Sequence, residues 1–132
     1  MSSSIAIMIL GNATSNSSSQ IALNYAKAVM ECGHRIERLF FYHEAASLGS
    51  TFTVNAQDEL HLNRAWQEFI AEHQLDAVVC IASGLKRGIL DSNEAKRYEK
   101  PGHNLSSHME LSGLGQWIDA VCKADRSIVF GN

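Results

Sequence analysis

The chain has 132 residues, 45% hydrophobic and 19% charged, with nine Gly and one Pro, which is the size of one globular domain and excludes collagen-like and Pro-rich disordered chains. Eleven Lys and Arg against fourteen Asp and Glu leave a formal charge of -3, which argues against a direct grip on a nucleic-acid backbone as the main task. The apolar run Ile5 to Leu10 is too short to span a bilayer and follows Ser2, Ser3 and Ser4 rather than a basic flank, so the expectation is a cytoplasmic protein with no membrane partner.

Ile5 to Leu10 is continuous and rich in β-branched residues, which predicts a strand buried on both faces. Gly11-Asn12 ends it, and a polar run follows to Ser19. Ser17 with Gln20 three residues later has the pattern of a capping box. Ile21, Tyr25, Ala28, Val29 and Cys32 then recur on one helical face, and Gly33 stands where a helix would stop. Ile36 to Tyr42 predicts a second strand, and His43 to about Gln57 a long loop rich in small and polar residues. Asp58-Glu59 is the expected start of a second helix, with Leu62, Trp66, Phe69 and Ile70 at core spacing.

Ala77 to Ala82 predicts a third buried strand, and Asp91 with Glu94 caps a short helix that ends near Tyr98. Pro101-Gly102 marks a turn. After Ser112 a last helix puts Leu114, Trp117, Ile118, Val121 and Cys122 on one side, and Ser127 to Phe130 closes the chain as a strand. Strands alternating with amphipathic helices predict a single α/β domain over residues 1–132, a mostly parallel sheet with helices on both faces.

In such a sheet, chemistry gathers beyond the carboxyl ends of the strands. One candidate there is the loop Gly11 to Ser17, whose hydroxyls and backbone N–H groups resemble the phosphate loop of flavodoxins. The same composition also suits an ordinary capped loop. A second candidate is Cys80, near the end of the third strand, followed by the small residues Ala82, Ser83 and Gly84 and by the cations Lys86 and Arg87. A thiol acts as a nucleophile in its thiolate form, which nearby cations favour. A free cysteine in an apolar strand is also an ordinary core residue, so a packed, unreactive Cys80 stands as the structural alternative. Cys32 and Cys122 fall on helical apolar stripes and read as small hydrophobes.

A third set is polar: His43, Glu44, His103, His108 and Glu110, on loops where a histidine could serve Cys80 as base or orienting group. No histidine pair has metal-ligand spacing. The three cysteines are odd in number and widely spaced, with no CxxC pair, which fits neither a disulfide framework nor a zinc knuckle.

The segment Val78-Val79-Cys80-Ile81-Ala82-Ser83-Gly84-Leu85-Lys86-Arg87-Gly88 resembles the cysteine segment of the TusD and DsrE sulfurtransferase subunits. Further stretches agree in order: Gly33-His34, Phe40-Phe41-Tyr42-His43-Glu44, Arg64-Ala65-Trp66, Leu111-Ser112-Gly113-Leu114-Gly115 and Ala124-Asp125-Arg126-Ser127-Ile128-Val129-Phe130-Gly131. The chain departs from that pattern in Ser83-Gly84-Leu85 and Lys86-Arg87, where the family often has three alanines and a double arginine.

The resemblance implies a DsrE-like fold and a sulfur relay in which Cys80 carries a sulfane sulfur as a persulfide, without cofactor or metal. It implies TusB- and TusC-like, or DsrF- and DsrH-like, partners in a heterohexamer. It also implies a TusA-like donor and a TusE- or DsrC-like acceptor. The end use would be tRNA wobble 2-thiouridine, or intracellular sulfur oxidation in the DsrE-like case. Lys86 and Arg87 are then candidates to stabilise the thiolate or to dock an acidic partner. From a different class, a flavodoxin-like FMN or phosphate binder using the first loop is the alternative.

Overall fold

The computed structural model describes residues 2–14 and 17–131. Five parallel strands form one sheet in the order β4-β3-β2-β1-β5. They are β1 (Ser4–Ile9), β2 (Arg35–Phe41), β3 (Ala77–Cys80), β4 (Glu110–Ser112) and β5 (Arg126–Phe130). The helices are α1 (Ser18–Glu31), α2 (Leu62–His73), α3 (Ile81–Lys86), α4 (Ser92–Arg97) and α5 (Gly115–Lys123), with a 3-10 helix over His43–Gly49.

The order of strands explains where the helices lie. The chain steps from β1 to β4 in one direction and then returns past β1 to β5. Parallel crossovers are right-handed, so the outward steps and the return place their helices on opposite faces. On one face α1 and α2 cover Ile5, Ile7, Ile9, Leu39, Phe41, Ala77 and Val79, with Trp66 fully buried. The Trp66 indole meets Phe41 edge-on at 5.2 Å, and its N–H donates to the Ser19 carbonyl. The other face carries a smaller cluster, Met8, Phe40, Val78 and Cys80, bordered by Leu10, Tyr42 and Trp117 of α5.

Arg38, on that second face of β2, fastens α5 to the sheet. Its guanidinium donates to Asp76, to Asp119 and to the Gln116 carbonyl at 2.8 to 3.1 Å. Hydrogen bonding to Asp76, then to Asp119, holds its pKa above the ordinary value against the opposing effect of burial. The Asp119 carboxyl is held low first by Lys123 and then by Arg38.

Several expectations change in detail. Cys80 ends β3 and Ile81 begins α3, where continuous strand was expected to Ala82. Gly84 is a poor helix former, but it packs closely: a Cβ there would meet Leu111 at 3.2 Å, so a larger residue would have to displace that side chain by a few tenths of an ångström. The strand β4 was not expected, because three residues are too few to carry an alternation. Ser17 caps α1 without a side-chain bond. The buried residues of α1 are Ser19, Ala22, Leu23, Ala26 and Val29, while Ile21, Ala28 and Cys32 are exposed.

The second helix starts at Leu62, not at Asp58-Glu59. His61 caps it: its Nδ1 accepts from the Arg64 N–H and its Nε2 reaches the Thr53 carbonyl, a pair of bonds that calls for the Nε2-protonated neutral ring. The first part of the expected long loop is the 3-10 helix, with Ala45, Ala46, Leu48 and Gly49 buried. Asn63 and Gln67 of α2 hold it by donating to the carbonyls of Ser47, Leu48 and Ser50. Along α5 the expected core stripe is largely outside: Leu114, Ile118, Val121 and Cys122 are exposed.

Candidate functional site

Cys80 is the last residue of β3 and the N-cap of α3. It pairs in register with Ser112, the last residue of β4. Beyond these two strand ends the chain diverges. After β3 it enters α3, whose Gly84 abuts Val79 and Leu111 on the α1/α2 face. After β4 it passes through Gly113 and Leu114 into α5 on the opposite face, where Trp117 borders the Cys80 cluster. Adjacent parallel strands whose connections part to opposite faces leave a crevice at their carboxyl ends, the usual place for a ligand or reactive group in this class of fold.

The Cys80 side chain faces the smaller cluster because Val78 and Cys80 alternate with the inward-facing Ala77 and Val79 of the larger core. Only 4% of the residue is exposed. Phe40 stands between Tyr42 and Trp117, with ring centroids 6.2 and 6.3 Å away. Cys32 and Cys122, by contrast, are exposed free thiols.

A chain of polar contacts joins the loops that follow β1, β2 and β3. Arg87, just after α3, donates to the Ser83 carbonyl at 3.0 Å and to Glu44 at 2.6 Å. The second oxygen of Glu44 accepts from the Asn12 amide at 3.5 Å. Ser83 Oγ in turn accepts from the His43 N–H at 3.0 Å. His43 has the left-handed φ of 51°, which a non-glycine residue adopts at a cost of about 1 kcal/mol, and this bond together with stacking on Tyr42 at 4.1 Å holds it there. The network fixes α3, and so its first residue, against two neighbouring loops. The Arg87 guanidinium beside Glu44 is the main cause holding that carboxyl below its ordinary value of 4.5.

The expected site residues therefore separate. The Arg87 guanidinium is turned to Glu44 and the Ser83 carbonyl, whereas Lys86 is exposed beside a surface cleft. His43 and Glu44 are at the carboxyl edge of the sheet with Cys80. His108 and Glu110 lie at the amino end of β4, away from that edge, and His103 is exposed on the preceding loop. In the first loop the Thr14 N–H donates to the Asn12 side chain and the Ser19 hydroxyl to the Asn12 carbonyl, so these donors close the loop on itself. Ser15 and Asn16 of that candidate anion loop lie outside the described residues.

Sequence reasoning missed the Asn12–Glu44–Arg87 chain, since its members are brought together only by strand order. The one signal was that Glu44 and Arg87 both fall within segments shared with the sulfurtransferase subunits. Among the described residues no three His, Cys, Asp or Glu side chains converge as a metal site, and no helix is long and apolar enough to cross a membrane.

Known proteins agree with this arrangement along nearly the whole chain. The profile of the DsrE/DsrF-like family matches residues 3–130. A Pseudomonas aeruginosa protein named as a sulfurtransferase TusD homolog is 48% identical over 110 residues, covering 83% of this chain and 84% of that protein. The DsrE protein of Allochromatium vinosum is 41% identical over 114 residues, covering 86% and 88%. The crystal structure of the ychN protein from E. coli shares the fold, with a TM-score of 0.75 over 98% of this chain and 100% of that one, at 16% identity.

Proposed function

The chain belongs to the DsrE/DsrF-like family, and from that premise we propose that it is a sulfur-relay sulfurtransferase whose carrier is the Cys80 thiol. The observation that carries the reading is the position of Cys80, at the end of β3 where the chain parts toward α3 and α5. The TusD-type role is favoured over the DsrE-type role, since identity is 48% to the TusD homolog and 41% to the DsrE protein.

The chemistry is sulfane transfer. The Cys80 thiolate attacks the outer sulfur of a donor persulfide; a new Sγ–S bond forms, the donor's S–S bond breaks, and the donor leaves as its thiolate. An acceptor thiolate then attacks the outer sulfur on Cys80 and restores the Cys80 thiolate. No net oxidation occurs, so no electron-carrying cofactor enters either step. Each persulfide extends the side chain by one S–S bond of about 2 Å.

In this reading Arg87 acts through α3, anchored by Glu44, and Lys86 faces the partner. The donor is a TusA-like protein, the acceptor a TusE- or DsrC-like one, and TusB- and TusC-like subunits complete a cytoplasmic hetero-oligomer whose product is tRNA wobble 2-thiouridine. The test is transfer from a persulfidated donor through this protein to an acceptor thiol. Cys80→Ser is expected to abolish transfer while keeping the native circular dichroism spectrum, and Cys32→Ser and Cys122→Ser to leave it intact. Transfer that survives Cys80→Ser overturns the assignment.

A further inference from the structure

A cleft of about 500 Å³ opens beside the end of α3, lined by Leu85, Lys86, Gly88, Leu90, Tyr98 and Lys100. Its relation to the thiol follows from helix geometry. Cys80 caps the start of α3 and Lys86 ends it, so at 1.5 Å per residue the cleft begins, at Leu85 and Lys86, roughly 7.5 to 9 Å along the helix from Cys80. Gly88 follows with a φ of +73°, turning the chain toward Leu90 along the cleft wall.

The cleft combines cationic and apolar lining. Lys86 and Lys100 are exposed, and among the described residues neither has a carboxylate partner; the ion pairs there engage Arg38, His73, Arg87, Arg97 and Lys123. Both cations line the cleft, in a chain of net charge -3. Leu85, Leu90 and the half-exposed ring of Tyr98 line it with them. A space of this size with apolar walls is far larger than a small inorganic anion, which would leave those walls wet. A peptide with an apolar side chain flanked by carboxylates satisfies both features.

We propose that this cleft receives an acidic peptide segment of the acceptor protein that takes sulfur from Cys80, its apolar side chain on Leu85, Leu90 and Tyr98 and its carboxylates at Lys86 and Lys100. The proposal rests on Cys80 as sulfur carrier and adds how the partner is recognised. Electrostatic docking of this kind acts mainly on the rate of encounter and weakens with salt.

The test uses the full chain with Cys32→Ser and Cys122→Ser, so that Cys80 is its one thiol, loaded with sulfur from inorganic polysulfide. Two ten-residue peptides, each with a single cysteine, serve as acceptors. Both contain Leu and Phe; one carries Asp and Glu where the other carries Asn and Gln. Dithiothreitol is the reference acceptor. The net charge of the protein would favour the neutral peptide, so faster transfer to the acidic one reports the cleft. With each peptide rate divided by the same protein's own dithiothreitol rate, the expected advantage is about tenfold at low salt, lost at high salt and lost in Lys86→Glu/Lys100→Glu. Equal rates for the two peptides overturn the proposal, as does an acidic advantage that survives the double charge reversal. Failure to load Cys80, or to release its sulfur even to dithiothreitol, overturns the carrier reading itself and with it the cleft's role.

Discussion

Beneath α1 and α2 the sheet buries Ile5, Ile7, Ile9, Leu39, Phe41 and Val79 against Trp66, Phe69 and Ile70. Beneath α5 it buries Met8, Phe40, Val78 and Cys80, with Tyr42 and Trp117 only partly covered. The first face is closed by two helices of 14 and 12 residues, the second by one of nine. On that second side Leu114, Ile118, Val121 and Val129 remain 38 to 58% exposed. The difference assigns separate tasks to the two faces. The thick side supplies stability, while the thin side holds the thiol near a surface that another molecule can reach.

The most severe way to break the thick side is Trp66→Ala. It removes a fully buried indole and its bond to the Ser19 carbonyl, and a loss of about 3–5 kcal/mol is expected in chemical denaturation. A loss below about 1 kcal/mol, the size of an ordinary point mutation, would refute the assignment of stability to that face. On the thin side, Arg38→Met removes the guanidinium that ties Asp119 and the Gln116 carbonyl of α5 to β2 and to Asp76. The expected loss of stability is smaller than for Trp66→Ala. Hydrogen exchange should quicken in α5 and stay unchanged in α1; uniform quickening would show that Arg38 supports the whole fold.

Glu44→Gln makes a smaller change still, and acid reveals it. Because Arg87 depresses the Glu44 pKa in the folded protein, the pair stabilises fully above the ordinary value of 4.5 and fades as pH falls through the depressed folded value. The stability difference between wild type and Glu44→Gln should therefore be constant at neutral pH and vanish in acid. A difference that grows on acidification would contradict the pair. The smallest effect is expected from Ile118→Ser, which alters an exposed position and should leave stability within about 0.5 kcal/mol of wild type. A larger loss would mean that α5 is more deeply packed than its exposure indicates.

The same contrast governs what was legible in the sequence. Buried strands such as Ile5 to Leu10 announce themselves through continuous apolar runs, and Leu62, Trp66, Phe69 and Ile70 mark the inward side of α2. The stripe of α5 has equal periodicity, yet Leu114, Ile118 and Val121 are exposed, since periodicity gives a helix's apolar side without saying how much sheet lies beneath it. The helix α3 was hidden by Gly84, whose role depends on Leu111 twenty-seven residues later. The proposed carrier Cys80 was singled out by its small and basic neighbours together with the resemblance of its segment to the sulfurtransferase subunits. The Asn12–Glu44–Arg87 chain was not, because it is assembled from loops after three different strands.

In the proposed relay the thin face, not exposure alone, selects the thiol that takes sulfur. The direct measurement is peptide mapping by mass spectrometry of the wild-type protein after reaction with a limiting persulfidated donor. One additional sulfur on the Cys80 peptide is the predicted result, with none on the more accessible Cys32 and Cys122. Sulfur on either exposed cysteine with Cys80 unmodified would contradict the account.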